Sequence, residues 1–138
     1  AVDINPEGVE CTRQKAEENG VKVEDKEGDL FDAVEDDKFD LVLFNTPYLP
    51  TDEDDMVHEK LGAAWEGGAD GRKTIDRFLD GLKCHLKPCG RVQLVQSSLS
   101  DIQKTLKKLE DTGFNASVTA SEHYFFEEVV VISGALEE

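Results

Sequence analysis

No stretch of the 138-residue sequence is apolar for long enough to cross a membrane, and its first residues lack the charged-then-apolar pattern of a secretory signal. Cysteine is scarce. The three, at 11, 84 and 89, suit a reducing compartment better than a disulfide framework, and with the missing signal they predict a cytoplasmic protein. Cys84, His85 and Cys89 lie close in sequence, yet four residues separate the cysteines and no second ligand pair follows, so no metal site is predicted. Basic residues are few as well: 15 against 31 acidic, a formal net charge of −16. That imbalance weighs against nucleic-acid phosphates as the main partner, because such binding relies on Lys and Arg. The acidity is spread along the chain, as in proteins adapted to molar salt, where the Debye length shrinks to about 3 Å. A halophilic source is expected.

What is present is an alternation of short elements that fills one modest domain over residues 1–138, without repeats or low-complexity tracts. Residues 2–4 read as the end of a strand. Asn5 and Pro6 are suited to the cap and first position of a helix, and Gly20 to its stop. The apolar stripe of that helix is thin, with Val9 and Ala16, which predicts half exposure. A short strand is expected over 21–24, a loop or helical turn over 33–38, and a strand over 39–44. Residues 51–71 show no overall period, apart from a turn or two of helix over 57–64, and read as a substrate-side loop. From Arg72 a helical period is clear: Ile75, Phe78, Leu79, Leu82 and Leu86 predict one helix, ended by Pro88 and Gly90. A strand follows over 91–96. Ser100-Asp-Ile-Gln103 forms a capping-box pattern before a helix with Ile102, Leu106 and Leu109, closed by Gly113. The last two strands, 114–122 and 126–133, are linked too tightly to be anything but antiparallel. The whole predicts an α/β sandwich with a mostly parallel sheet and a C-terminal antiparallel hairpin.

The most informative stretch is 39–50. A nearly all-apolar run, Leu41 to Phe44, suits a strand buried on both faces, and it stops at Asn45-Thr46-Pro47-Tyr48. In an open α/β sheet, ligands bind just outside the carboxyl ends of the strands, so a polar-aromatic cluster there is a candidate site. An ordinary Asn/Pro turn uses the same residue types.

The element order resembles the later part of a class I S-adenosylmethionine-dependent methyltransferase with its Rossmann-like sheet, and four local matches fall in the same sequence order. Asp3 stands where such enzymes keep an acidic residue for the ribose hydroxyls, with Ile4 beside it. Asp29-Leu30 matches the pair that receives the adenine amine and packs on its ring. Asn45-Thr46-Pro47-Tyr48 is similar to the Asn-Pro-Pro-Tyr motif of amino-group methyltransferases. Gly67-Gly68-Ala69-Asp70-Gly71 is similar to the stretch that follows this motif in HemK/PrmC-type enzymes, which methylate the glutamine of the Gly-Gly-Gln loop of release factors. The resemblance implies S-adenosylmethionine as cofactor, cofactor contacts from Asp3, Ile4, Asp29, Leu30 and Asn45, and a catalytic set of Asn45, Thr46, Pro47 and Tyr48. It implies a release factor as substrate and, because the chain looks more like the archaeal and eukaryotic branch, a small zinc-binding activator subunit as partner.

The expected chemistry is positional. A carboxamide nitrogen is a poor nucleophile because its lone pair is delocalised; the Asn45 side-chain oxygen and the Thr46 carbonyl would accept its two N–H bonds and aim the lone pair at the methyl group. Pro47 keeps Thr46 extended, and Tyr48 would stack on the flat amide. Thr46 stands where the family has its first proline, and its hydroxyl has no role in that scheme. His58, His85 and His123 fall outside the motif and read as surface or packing residues. The family's glycine-rich loop, expected before Asp3, is absent, and the chain opens at Ala1 without an initiator methionine. A fragment lacking the first strand, that loop and any N-terminal substrate domain is expected, one that binds cofactor weakly by itself. Two other readings stay open. A nucleic-acid base amine would need the same clamp, though Lys104, Lys107 and Lys108 form the only basic cluster and suit a solvated helix face. A non-catalytic Rossmann-like binding module would need only the cofactor residues.

Overall fold

A computed structural model describes residues 1–46 and 72–137. Among these residues six strands fall into two sheets, accompanied by three α-helices. Strand β1 (Val2–Asp3) pairs in parallel with β2 (Lys26–Glu27), with helix α1 (Pro6–Glu18) between them. The larger sheet has the order β3-β4-β6-β5, from β3 (Phe39–Asn45), β4 (Leu86–Ser97), β5 (Phe114–His123) and β6 (Glu128–Leu136). β3 and β4 are parallel, while β6 runs against both β4 and β5, so three strands share one direction and only β6 opposes them.

Helices α2 (Lys73–Leu82) and α3 (Ile102–Asp111) supply the apolar layer on this sheet. Ile75, Phe78, Leu79 and Leu82 of α2 bury one stripe at helical spacing. They meet Val92 and Leu94 of β4, Val130, Ile132 and Leu136 of β6, Phe114 of β5 and Leu109 of α3 in one core. The alternation of buried and exposed residues along β4 and β6 matches a sheet with one packed face.

Four expectations are corrected. The run 41–44 is not buried on both faces: Val42 and Phe44 pack on the core, but Leu41 and Leu43 are exposed, Leu43 at 67%. β3 is the edge of its sheet and only one of its faces meets the helix layer. The strand expected over 21–24 lies instead at Lys26–Glu27, because pairing with β1 begins at Val2 opposite Lys26 and leaves 21–25 upstream of the register. The single long helix from 72 ends at Leu82 in a 3₁₀ turn, Lys83–His85, so Leu86 enters β4 yet still faces the same core. Pro88 and Gly90 thus lie inside a bulged strand. Register passes from Phe39 opposite Leu86 to Leu41 opposite Arg91, and a side chain at 90 would meet the Lys87 carbonyl at 2.8 Å. Finally, Asp101 rather than Ser100 caps α3, its carboxylate accepting from the Lys104 N–H at 3.1 Å. Ser100 is buried, and its carbonyl accepts from Arg72 and Gln96.

The strands expected over 91–96 and 126–133 extend over 86–97 and 128–136, while other boundaries agree with expectation. Asn5 caps α1 through its side chain, Gly20 follows it with φ +64°, and Ala16 is its one buried residue. The expected helical turn near 33–38 forms slightly earlier, as a 3₁₀ turn over Leu30–Val34.

Candidate methyl-transfer cleft

A cleft of about 1130 Å³ opens between the small sheet and the edge of the large one, and Asp3, Ile4, Asp29, Leu30, Asn45 and Thr46 all line it. Residues expected from three separate strand ends are therefore brought together. Pro47, Tyr48 and Gly67 to Gly71 lie outside the described residues.

One wall comes from β1 and the segment after β2. Asp3 ends β1, and one carboxylate oxygen accepts the Asn5 backbone N–H at 2.9 Å. The other lies against the first turn of α1, where a side chain on Gly8 would come within 2.0 Å of it. Gly8 is thus what lets the carboxylate rest at the positive end of the helix. Asp29 precedes the 3₁₀ turn, and its Oδ2 accepts from Arg77 Nη2 of α2 at 2.7 Å. The hydrogen bond and charge of Asp29 raise the Arg77 pKa above its ordinary value. Both partners are substantially exposed, so the pair orients more than it stabilises.

Aromatic rings join this wall to the other. Phe31 stacks on His85 at 4.3 Å and on Phe78 at 5.3 Å, and Phe78 lies 4.3 Å from Phe44 of β3. His85 is a packing residue, as expected, with its two ring nitrogens against the carbonyls of Gly81 and Glu35. His123 is exposed and pairs with Glu128 at 3.0 Å.

The second wall is the end of β3. Asn45 is exposed to the cleft, and its side chain makes no hydrogen bond to another described residue. Thr46 is buried at 4% exposure; its N–H lies 3.4 Å and its Oγ1 2.6 Å from the Val95 carbonyl of β4.

Behind this wall lies a polar network. Arg72 is 2% exposed; its Nη1 donates to the carbonyls of Ser100 and Asp101 and to Thr105 Oγ1, and its Nη2 to Asp76 at 2.7 Å. Thr105 donates to Gln96, which donates to Ser100. Burial pushes the Asp76 carboxyl up, but the hydrogen bonds and charges of Arg72 and Lys108 outweigh it and hold the group below its ordinary 3.8.

Gly8, Arg77, Phe31 and Phe78 were not singled out as site residues by sequence. Asp29 and Arg77 are 48 positions apart and share no local pattern. Gly8 carried a readable signal, a glycine in the first turn of a helix directly after an acidic strand end.

The cleft offers two carboxylates near strand ends, apolar surface from Ile4 and Leu30, and an exposed carboxamide across from them. No histidine or cysteine stands among its described lining residues. Such a set suits a ligand bearing hydroxyls, an amine and a flat ring, held beside an amide acceptor.

The open sheet with candidate site residues at its carboxyl edge has the form of a Rossmann-like α/β domain. Residues 1–125 match the methyltransferase small domain model, and the chain belongs to that family. Among relatives, a Methanocaldococcus jannaschii protein named provisionally as a protein N5-glutamine methyltransferase is 44% identical over 132 residues, covering 96% of this chain and 66% of that protein. Human methyltransferase HEMK2 is 32% identical over 86% of this chain and 57% of its own length. The release factor glutamine methyltransferase of Geobacter sulfurreducens is 28% identical over 94% of this chain and 47% of its own length. The chain thus spans about half to two thirds of these relatives. In fold, it matches the E. cuniculi Mtq2–Trm112 complex with TM-score 0.65 at 24% identity, over 86% of this chain and 65% of that one. It matches Methanocaldococcus jannaschii Trm5 in complex with adenosine with TM-score 0.60 at 18% identity, over 100% of this chain and 36% of that one. Together these make the fold that of a Rossmann-like class I methyltransferase.

Proposed function

We propose that the protein is an S-adenosylmethionine-dependent N-methyltransferase acting on the side-chain amide of the glutamine in the Gly-Gly-Gln loop of a translation release factor. One observation carries the reading: Asp3 and Asp29 on one wall and Asn45 with Thr46 on the other share a single cleft. The residues fit the cofactor. The Asp3 carboxylate can accept the ribose hydroxyls, Asp29 Oδ1 stands unpaired among the described residues and can accept the adenine amine, and Ile4 and Leu30 can flank the ring. When bound, the cofactor supplies an electrophilic methyl group.

This chain's own residues do the rest. Asn45 Oδ1 and the Thr46 carbonyl accept the two N–H bonds of the acceptor amide, which fixes its plane and turns the nitrogen lone pair toward the methyl group. These acceptors also favour the positive charge that develops on nitrogen. In this scheme Pro47 holds Thr46 extended, and Tyr48 closes over the amide.

A protein acceptor is favoured over a nucleic-acid base because two of the three lysines in the candidate basic cluster, Lys104 and Lys108, are paired with aspartates of α2. Lys104 and Lys108 reach Asp76 at 3.6 and 3.2 Å, and Lys108 also reaches Asp80 at 3.6 Å. The relatives named as protein glutamine methyltransferases support the same choice. A small zinc-binding activator subunit, a cytoplasmic location and a halophilic archaeal source belong to the same reading; no helix among the described residues is long and apolar enough to cross a membrane. Methyl transfer from labelled cofactor tests it, with release factor, a Gln-to-Ala release factor and nucleic acid as acceptors. Label on the first alone is expected; label on nucleic acid alone would overturn the reading.

A further inference from the structure

The end of β3 carries a hydrogen bond that the expected amide clamp does not use. Asn45 pairs with Val95 as the last rung between β3 and β4, and the next contact is the Thr46 N–H to the Val95 carbonyl at 3.4 Å. That distance lies past the usual range of about 2.7–3.2 Å, so the rung is weak. The Thr46 hydroxyl reaches the same carbonyl at 2.6 Å and is the tight contact. Among the described residues, Thr46 is the final tie between β3 and β4.

We propose that the Thr46 hydroxyl is a positioning group that fixes the amide-binding end of β3. The proposal rests on the methyltransferase reading of the cleft. Successive side chains of a strand point to opposite faces, and here Asn45 is exposed to the cleft while Thr46 is buried. Pinning Thr46 on the inner side therefore sets where the Asn45 carboxamide emerges on the outer side. It also sets the direction of the Thr46 carbonyl, the second acceptor of the clamp. At 4% exposure water competes little for the Val95 oxygen, which makes loss of the hydroxyl costlier than at the surface. The resembling Asn-Pro-Pro-Tyr motif has a proline at this position, whose ring fixes φ without any donor. Threonine reaches the same rigidity through a cross-strand hydrogen bond and a β-branched side chain suited to extended backbone. The substitution changes the means and keeps the geometry.

The test compares Thr46→Val, which keeps the shape and removes the hydroxyl, with Thr46→Ser and Thr46→Pro in the intact protein. Methyl transfer to release factor, cofactor affinity by calorimetry and the unfolding midpoint are read for each. Thr46→Val is expected to lower kcat about tenfold with cofactor affinity unchanged, because a small misplacement of the acceptor amide is enough. Serine is expected to recover the greater part of that loss, and proline to exceed valine. Wild-type kcat in Thr46→Val overturns the proposal, and so does a loss that follows cofactor affinity or the folded fraction. A wild-type protein that methylates no acceptor would overturn the methyltransferase reading and this proposal with it.

Discussion

The two walls of the cleft are built differently. The β3 wall stands on a four-stranded sheet, an apolar core from both β and α elements and the buried network around Arg72. The opposite wall rests on two strands of two residues each, and on α1, in which Ala16 is the one buried residue. That wall is tied to the rest largely by the Phe31 stack, the Asp29–Arg77 pair and the His85 contacts. The proposed clamp has to hold an amide close to a productive position, and its candidate residues Asn45 and Thr46 belong to the more heavily packed side. A cofactor makes many contacts of its own and can order a lighter wall as it binds.

The largest effect expected from breaking this contrast lies behind the rigid wall. Arg72→Met removes the donor shared by the carbonyls of Ser100 and Asp101 and the Asp76 carboxylate, and since Ser100 keeps Gln96 and Asp76 keeps Lys104 and Lys108, a loss of about 1–3 kcal/mol is expected. Denaturant unfolding of the variant measures it. Asp76 gives a pH-dependent version. Its folded pKa lies below its ordinary 3.8, so its contribution is present above that value and is lost as pH falls through the lower folded value. Stability should therefore fall as pH is lowered below 3.8, and Asp76→Asn should flatten that acid limb in pH-dependent melting. The smallest effect belongs to the light wall. Arg77→Met removes an exposed pair and should cost no more than about 1 kcal/mol of stability, while weakening cofactor binding severalfold by freeing Asp29 to turn. Equal losses of stability at Arg72 and Arg77 would erase the distinction between the walls.

The helices of the rigid side were legible because burial stamps a 3.6-residue period on them: Ile75, Phe78, Leu79 and Leu82 all reach the core. Leu86 shows the limit of that signal. A strand and a helix can present an apolar residue to the same core, so periodicity alone overran the end of α2 into β4. Exposure of Leu41 and Leu43 was equally illegible, since an apolar run does not say whether a second layer covers it. That Asp3, Asp29 and Asn45 share a cleft follows from their places in the fold: Asp3 and Asn45 end strands, and Asp29 follows one. Arg77 acts through a contact that only the tertiary arrangement creates.

The central claim is a division of labour between walls that meet at one cleft. Methyl transfer and cofactor affinity measured together in Asn45→Ala and Asp29→Ala test it most directly. The account predicts that Asn45→Ala lowers transfer by about a hundredfold or more with cofactor affinity nearly unchanged, as loss of a preorganised acceptor should. It predicts that Asp29→Ala weakens cofactor binding and leaves kcat at saturating cofactor close to wild type. Transfer retained in Asn45→Ala, or cofactor affinity lost there as fully as in Asp29→Ala, would contradict it.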